Sequence, residues 1–433
     1  MNLKVSVYTL GCKVNQYESQ AILEELEKIG LSYAGENEVA DICIINTCTV
    51  TSESDRKSRQ SVRRAISENP TALVIVTGCS SQIDPESFMK IQGVDAVVTN
   101  ACKMDVCKIV SRYLETGNKD FTDLVSDHTM EDAKFEKMAI SRSERTRAYV
   151  KIEDGCESKC AYCIIPKARG KIRSKPINEV LDEVKTLVDG GYKEIVLTGI
   201  EISAYGKGED FDLPTLLLEL DGPRFEGLER IRLGSLDPSY LTPKNVDALA
   251  KCKKLTHHFH LSLQSGCDRI LNLMRRRYNT KMVLDYVEYI RSVMSDVCFT
   301  ADVIVGFPGE TEEDVAITKA FLEKVRLLQC HLFCYSRRPG TEADKMKGQL
   351  DNKTKTNRLH ELSKTVENTS RSVLSNFVGK EFDVLFEEHE NGKMIGHTDF
   401  FAKVCVDSDC DLRSKILKVK IIKAEKDMLI GQL

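Results

Sequence analysis

Short apolar runs alternate with helical periods along two stretches of this chain, and that alternation limits its possible folds more than any other feature. Strands that read as nearly continuous apolar runs are buried on both faces, which a parallel sheet covered by crossover helices provides. In the first stretch LKVSVYTL, DICIIN, ALVIVTG and VDAVV are predicted strands, and residues 15–29, 52–69 and 85–91 are predicted helices. In the second, RAYVKI, KEIVLTG, ERIRLGS, HHFHLSLQ, VCFTADVIVG and HLFCYS supply six strands. Helical periods lie between and after them over 178–189, 213–220, 243–251, 269–276, 281–294 and 312–327. Six such units are too few for a complete eightfold barrel and suit a partial one. A helix over 352–374 leads out, and from residue 376 the runs EFDVLFEE, MIGHT, FFAKVCV, ILKVKIIKAE and MLIGQL predict a small antiparallel β-barrel. The expected chain is thus a multidomain α/β protein: a parallel α/β domain at 1–125, a partial (β/α)6 barrel at 140–371 and the β-barrel at 372–433. Residues 116–145 lack periodicity and read as a linker.

Sixteen of the 433 residues are cysteine, an excess in a composition otherwise ordinary for a globular protein. The first residues, MNLKVSVYTLGCKVNQYESQ, hold no basic segment followed by a long apolar one, and no stretch approaches the ~18 apolar residues of a membrane span. A cytoplasmic location with no membrane partner is expected. There thiols stay reduced, which favours metal ligation over disulfides.

Asp-Gly-Cys156-Glu-Ser-Lys-Cys160-Ala-Tyr-Cys163 places three thiolates in one loop, just after the first strand of the second series. With three protein ligands, one iron of a 4Fe-4S cube stays open for chemistry. The alternatives are unligated thiols, or a zinc site whose fourth ligand is missing, with His128 and His257 the nearest histidines in sequence. Cys12, Cys48 and Cys79 each follow a predicted parallel strand, at the sheet edge where ligands gather in open α/β folds. A buried cysteine is more often a small hydrophobe, but three at one topological position converge into a second trio. Cys43, Cys102, Cys107, Cys252, Cys267, Cys298, Cys330, Cys334, Cys405 and Cys410 show no such arrangement and read as core or incidental thiols; of these, Cys405 and Cys410 could form a minor metal site. His258 and His260 share one face of a strand and His257 takes the other, a pattern that favours packing over a metal pair.

The Cys-x3-Cys-x2-Cys loop on a partial barrel resembles the radical S-adenosylmethionine superfamily. YVKIEDGCESKCAYCIIPKARGKIRSKPI, with its Pro166, Arg169 and Gly170 run, resembles the methylthiotransferase branch, and TLGCKVNQYES, INTCTVT and VTGCSSQ are similar to that family's N-terminal domain. The resemblance implies two 4Fe-4S clusters and S-adenosyl-L-methionine as cofactors. Cys156, Cys160 and Cys163 would hold the cluster whose open iron the methionine amino and carboxylate groups chelate. Cys12, Cys48 and Cys79 would hold an auxiliary cluster carrying the sulfur to be inserted. It further implies that one S-adenosylmethionine methylates that sulfur, a second is cleaved to a 5′-deoxyadenosyl radical, and the methylthio group joins C2 of an adenine in tRNA. An external one-electron donor and a sulfur donor are implied partners. The C-terminal barrel resembles the tRNA-binding TRAM domain. LTGIEISAYG, HFHLSLQSGCDRILNLMRRRY and GCKVNQYES are most similar to the branch acting on N6-threonylcarbamoyladenosine 37 of tRNA. The alternatives are the isopentenyladenosine 37 branch, the branch acting on a ribosomal protein, and a non-catalytic iron-sulfur or zinc protein that binds RNA.

Barrel sites lie at the carboxyl ends of the strands. Those ends carry Thr198-Gly199-Ile200-Glu201, Gly234-Ser235, Gln264-Ser265-Gly266, Gly306-Phe307-Pro308-Gly309-Glu310 and Tyr335-Ser336-Arg337-Arg338. Gly199, Glu201, Ser235, Gln264, Ser265 and Gly306 are the expected cofactor contacts, the glycines for close backbone approach and the polar side chains for hydrogen bonds. By resemblance the first group meets the methionine amino group and the Gly306 segment lies near the adenine. No Ser/His/Asp elbow or P-loop is present, and no general acid or base is assigned.

The net charge of −4 excludes a global field for nucleic acid. Locally, residues 134–175 hold 12 Lys or Arg against 5 Asp or Glu, and the predicted helix 52–69 carries Arg56, Lys57, Arg59, Arg63 and Arg64. Such concentrations are the expected footprint for a phosphate backbone. Residues 376–433 hold 9 basic and 11 acidic residues, leaving Lys415, Lys418, Lys420 and Lys423 as the one candidate strip there.

Overall fold

The computed structural model describes residues 3–35, 38–121, 130 and 133–433. The first sheet is parallel, built from β1 (Lys4–Thr9), β2 (Ser32–Tyr33), β3 (Ile42–Thr47), β4 (Leu73–Gly78) and β5 (Ala96–Val97) in the order β2-β1-β3-β4-β5. Every residue of β3 and β4 is buried, which is why their sequences show unbroken apolar character instead of alternation. The crossovers are α1 (Lys13–Lys28), α2 (Ser52–Glu68), α3 (Cys79–Ile83), α4 (Pro85–Met89) and α5 (Asp105–Thr116). Ile22 and Leu26 of α1 and Ile109 of α5 cover one face of the sheet, while Val62 and Ala65 of α2 and Phe88 of α4 cover the other. The Thr51 hydroxyl accepts from Ser54 N to cap α2, and Glu53 and Asp55 in its first turn complement the helix dipole. Neither β2 nor α5 was expected from the sequence.

The second series forms an open arc. It comprises β6 (Ala148–Lys151), β7 (Glu153–Asp154), α6 (Ile165–Arg169), β8 (Arg173–Ser174), α7 (Ile177–Asp189), β9 (Glu194–Thr198), α8 (Leu213–Asp221), β10 (Arg230–Leu233), β11 (Ser235–Leu236), α9 (Pro243–Leu249) and β12 (His258–Gln264). There follow α10 (Asp268–Leu273), α11 (Thr280–Val293), β13 (Cys298–Val305), α12 (Glu312–Val325), β14 (Gln329–Cys334), α13 (Glu342–Lys345) and α14 (Asn352–Ser375). The six expected barrel strands are all present and parallel, paired as β6-β9-β10 and β11-β12-β13-β14, with Gly234 interrupting the third. The short β7 and β8 pair with each other beside the cysteine loop. Phe259, Leu261 and Leu263 pack outward with Val283 and Val287 of α11, so His258, His260, Ser262 and Gln264 face the interior of the arc.

A third unit, β15 (Glu381–Glu390), β16 (Lys393–Thr398), β17 (Lys403–Asp407), β18 (Ile416–Glu425) and β19 (Met428–Gln432), closes as a barrel in the order β15-β16-β17-β19-β18. It is mixed where the turns suggested an antiparallel barrel: β17 and β19 run parallel. A ring of five strands cannot alternate direction all the way round, so one parallel pair is unavoidable. This barrel plugs the amino end of the arc. Arg230 donates to Asp383 O and His397 O, Arg232 donates to Asp399 O, and the Phe401 ring lies against Arg147, Arg232, His258 and His397.

The expected linker falls partly outside the described residues, at 122–129 and 131–132, and α5 ends at its first residue. Residues 133–147 have no regular structure but are fastened at each step. Glu136 accepts from Lys103 N and Met104 N, Met138 O from Tyr17 and Lys175, and Glu183 from Ile140 N. They are a strap that fits the first sheet against the arc. Among the described residues no helix is long and apolar enough to cross a membrane.

Candidate functional site

Cys156, Cys160 and Cys163 lie half-buried in the loop between β7 and α6, at the carboxyl end of the first arc strand. Gly155 begins the loop with φ +91°, and a Cβ there would stand 1.9 Å from Lys171 O, so only glycine fits. Cys156 N donates to Gly170 O at 3.0 Å and Cys163 N to Cys160 O at 3.1 Å, which folds the loop back on itself. Glu201 Oε2 lies 3.0 Å from Cys156 Sγ, and Arg276 Nη1 donates to Cys160 Sγ at 3.1 Å. Burial, then the Glu201 carboxylate, pushes the Cys156 thiol up, and burial pushes Cys163 up to about 11. Arg276 is held in place by Asp237 at 2.7 Å and by Tyr278 OH at 3.1 Å.

The second trio is assembled by the sheet. Cys12 caps α1 after β1, Cys48 follows β3, and Cys79 opens α3 after β4, so the carboxyl ends of three adjacent strands supply the three thiols. Packing there is tight: a Cβ on Gly11 would lie 2.7 Å from Cys48 Sγ, and one on Gly78 2.4 Å from Thr47 O. Burial pushes Cys48 up to about 11, and the charges of the neighbouring thiols Cys79 and Cys12 add to the shift.

Among the described residues no three Cys, His, Asp or Glu side chains close around a point that a single metal ion could occupy. The donor set of each trio is three thiols, which is the ligand chemistry that iron-sulfur clusters use. His257 sits at the far, plugged end beside Asp399, 3.7 Å away, so it cannot complete a site with the loop cysteines; His128 lies outside the described residues. Cys405 is buried in β17 and Cys410 is exposed in the following turn. His258 and His260 both bond the Thr300 hydroxyl, at 2.9 and 2.7 Å, and serve packing as expected.

One arginine joins the two trios. Arg169 is 0% exposed and uses all its N–H groups: Nε donates to Cys79 Sγ at 3.2 Å, Nη2 to Asn15 Oδ1 at 2.7 Å and Glu18 Oε2 at 3.1 Å, and Nη1 to Glu18 and to Asp154 Oδ2 at 3.1 Å. Lys103 and Lys151 complete the buried network around Glu18. Burial opposes its charge, but Arg169, Lys103 and Lys151 hold the Glu18 carboxyl well below its ordinary range; Asp154, buried against Arg169 and Lys151, is held down to about 2. Gly170, the next residue, accepts from Cys156 N. A single dipeptide thus touches one trio through its side chain and the other through its backbone.

The expected cofactor contacts divide. Glu201 stands beside Cys156, Ser235 Oγ lies 2.6 Å from Ser262 Oγ, and Gln264 ends β12 in the left-handed region at φ +61°. Gly199 packs on Glu153, whose Oε2 would be 2.7 Å from a Cβ. Gly306, φ +76°, clears the stem of Lys355, 2.5 Å from a would-be Cβ. Ser265 is buried, and its hydroxyl accepts from Cys267 N within the turn. Ser336 and Arg338 bond the first domain, at Ser52 N and at Asp55 and Thr49.

Sequence reasoning assigned no role to Arg169, Arg276 or Glu153. Glu153 is buried, accepts from Ile200 N and Glu201 N at 2.8 and 2.7 Å, and leaves Oε1 unpartnered; burial pushes it up to about 8. The Arg169 signal was its place in the Pro166 to Gly170 run; Arg276 lies in a run of three arginines that looked only basic. Part of the positive charge in 134–175 is internal: Lys151, Arg169 and Lys175 are buried in ion pairs, whereas Lys134, Lys137, Arg142, Arg145, Lys159, Lys167 and Lys171 are exposed. On α2, Arg56, Lys57 and Arg64 are exposed but paired with Glu53 or Glu68.

An open arc of six parallel strands with a three-cysteine loop at its carboxyl end defines a radical S-adenosylmethionine enzyme. The Radical SAM superfamily model matches residues 150–322, and the model described as Uncharacterized protein family UPF0004 matches residues 4–99. The chain belongs to the radical S-adenosylmethionine methylthiotransferase family. It is 38% identical over 427 residues to the threonylcarbamoyladenosine tRNA methylthiotransferase MtaB of Bacillus subtilis (strain 168), covering 97% of this chain and 94% of that protein. It is 35% identical over 438 residues to the tRNA-2-methylthio-N(6)-dimethylallyladenosine synthase of Aquifex aeolicus (strain VF5), covering 100% and 99%. The fold is shared with a solved radical S-adenosylmethionine methyltransferase, TsrM from Kitasatospora setae, at TM-score 0.59 and 15% identity over 79% of this chain and 77% of that one. Membership in the radical S-adenosylmethionine superfamily implies a 4Fe-4S cluster and S-adenosylmethionine.

Proposed function

We propose that the protein is a tRNA methylthiotransferase that inserts a methylthio group at C2 of N6-threonylcarbamoyladenosine 37, holding one 4Fe-4S cluster on Cys156, Cys160 and Cys163 and a second on Cys12, Cys48 and Cys79. The observation that carries it is the presence of both trios within one chain that matches the Bacillus subtilis enzyme along 97% of its length. The same reading divides the chain at 1–125, 140–371 and 372–433.

When bound, the loop cluster supplies the electron that cleaves S-adenosylmethionine, and the sheet cluster supplies the sulfur. The chain's own residues position these groups. Glu201, beside Cys156, has the charge and placement to orient the methionine ammonium, and Glu153 fixes the backbone of Ile200 and Glu201 from beneath. Ser235 and Gln264 offer interior hydrogen bonds to the rest of the cofactor. Arg276 and Arg169 each donate to one sulfur of a trio, which stabilises anionic thiolate and fixes its direction. A reactive primary radical demands such fixed geometry and exclusion of competing hydrogen donors. Exposed cations of α2 and Lys159, Lys167 and Lys171 supply the surface for the RNA backbone. An external electron donor and a sulfur donor complete the cycle.

The Aquifex aeolicus relative, named for dimethylallyladenosine, supports the competing reading of the substituent at N6. Mass spectrometry of tRNA nucleosides from a strain lacking the gene separates the two: 2-methylthio-N6-threonylcarbamoyladenosine should vanish while the dimethylallyl derivative persists. The reverse pattern would establish the alternative.

A further inference from the structure

Cys12 and Lys13 are exposed to solvent where the first sheet meets the arc. Lys13 directly follows a cysteine of the sheet trio and begins α1. Its ammonium lies 5.9 Å from the centroid of the Tyr149 ring on β6, one edge strand of the arc. Among the described residues it makes no hydrogen bond or ion pair. Of the charged groups around it, Arg147 pairs with Glu387 and Arg232 with Glu194, while Asp302 lies 3.2 Å from His260 and forms no ion pair with Lys13. On the other edge strand, β14, Cys330 and Leu332 pack outward into the core, leaving His331 and Phe333 to present exposed rings to the interior. An exposed cation outside any ion pair, with exposed aromatic rings on the opposite edge strand, is complementary to an anionic, flat ligand.

We propose that Lys13 reads the carboxylate of the substituent on N6 of the target adenosine, and so sets the preference for a threonylcarbamoyl over a dimethylallyl group. The inference rests on the proposed tRNA substrate and names the residue that selects it. In adenine C2 and C6 are both bonded to N1, so a group on N6 lies on the ring edge that carries the reacting carbon. A cation beside the sulfur-bearing trio is therefore placed to meet that group while C2 faces the sulfur. A dimethylallyl group would instead leave the ammonium desolvated and unpaired, which turns the same residue into a barrier against it.

The test uses full-length protein, reconstituted anaerobically, with anticodon stem-loop RNAs carrying N6-threonylcarbamoyladenosine, its carboxamide analogue or N6-dimethylallyladenosine. The readout is the ratio of kcat/KM for acid over amide, which does not depend on the fraction of enzyme loaded with clusters. The native protein should favour the acid by roughly ten- to a hundredfold, the scale of one charge-assisted contact. Lys13→Gln should bring the ratio close to one, mainly through KM on the acid, and Lys13→Arg should restore most of it. An unchanged ratio in Lys13→Gln, or equal losses on both RNAs, would overturn the inference and leave Lys13 as a charge balancing the cluster. If the native protein ignores the acid-bearing RNA but modifies the dimethylallyl one, the substrate reading itself falls; native activity on the acid with an unaltered Lys13→Gln ratio sinks only the role of Lys13.

Discussion

Cys156, Cys160 and Cys163 come from one loop, whereas Cys12, Cys48 and Cys79 come from the ends of three separate strands. The loop trio takes its shape from local chemistry: a glycine at φ +91°, two backbone hydrogen bonds, and an arginine, Arg276, from the same arc. The sheet trio exists only once β1, β3 and β4 are in register, and its arginine crosses from the other unit. Three thiols converge in both, but one site is specified by a turn and the other by a fold. The sheet trio is therefore the one that senses how the first unit docks on the arc.

The largest effect should separate the two by chemistry. Cys160→Ala is expected to reduce both 5′-deoxyadenosine and methylthiolated RNA to background, because its cluster starts the reaction. Cys79→Ala should still release 5′-deoxyadenosine while forming no methylthiolated product. Mass spectrometry of small molecules and nucleosides from one reaction reads both, and equal loss in the two variants would erase the distinction.

The arginines should differ next. Removing Arg169 takes the shared guanidinium from Glu18 and Asp154 and leaves only Lys103, Lys151 and Arg173 to balance them in a fully buried network, a change that costs about 3–5 kcal/mol. Arg276, beside the partly exposed Asp237, should cost about 1–3 kcal/mol. Urea unfolding of Arg169→Met and Arg276→Met measures both; a larger loss at Arg276 would contradict the account of the docking network.

This contrast also explains what the sequence made legible. Spacing exposed the loop trio at once, and unbroken apolar runs such as ICII in β3 and LVIV in β4 placed the sheet and hence its cysteines. The six arc strands were legible for the same reason. The polar network was not: Glu18, Lys103, Lys151 and Arg169 are distant in sequence, and charged residues in a helix or a basic run read as solvated until the fold buries them. Likewise α5 was missed beside the aperiodic strap, and the parallel β17–β19 pair follows from closing five strands, which no local turn reveals.

A smaller difference concerns glycine. Gly155→Ala would force a Cβ to 1.9 Å from the Lys171 carbonyl, a backbone atom that cannot yield, whereas Gly11→Ala meets Cys48 Sγ at 2.7 Å. Both positions have φ above +90°, so both substitutions are strained. Iron per chain after reconstitution should fall by about half in each, with Gly155→Ala losing 5′-deoxyadenosine formation and Gly11→Ala retaining it.

A pH dependence also arises beneath the loop trio. Glu153 is held up to about 8 against an ordinary 4.5, so the folded protein binds a proton there that the unfolded chain releases. Stability from this group is present at low pH and declines as pH rises from about 4.5 to 8, by a few kcal/mol at most. Glu153→Gln should flatten that part of the stability profile; an unchanged slope in urea unfolding across the window would mean that Glu153 is already ionised.

The division of labour is tested most directly by counting iron in the variant with Cys12, Cys48 and Cys79 all changed to Ala. With two 4Fe-4S clusters the native protein should hold about eight irons per chain. The variant should hold about four, still cleave S-adenosylmethionine, and transfer no sulfur. A variant that keeps the native iron content, or loses all of it together with cleavage, would contradict the assignment of two separate clusters to the two trios.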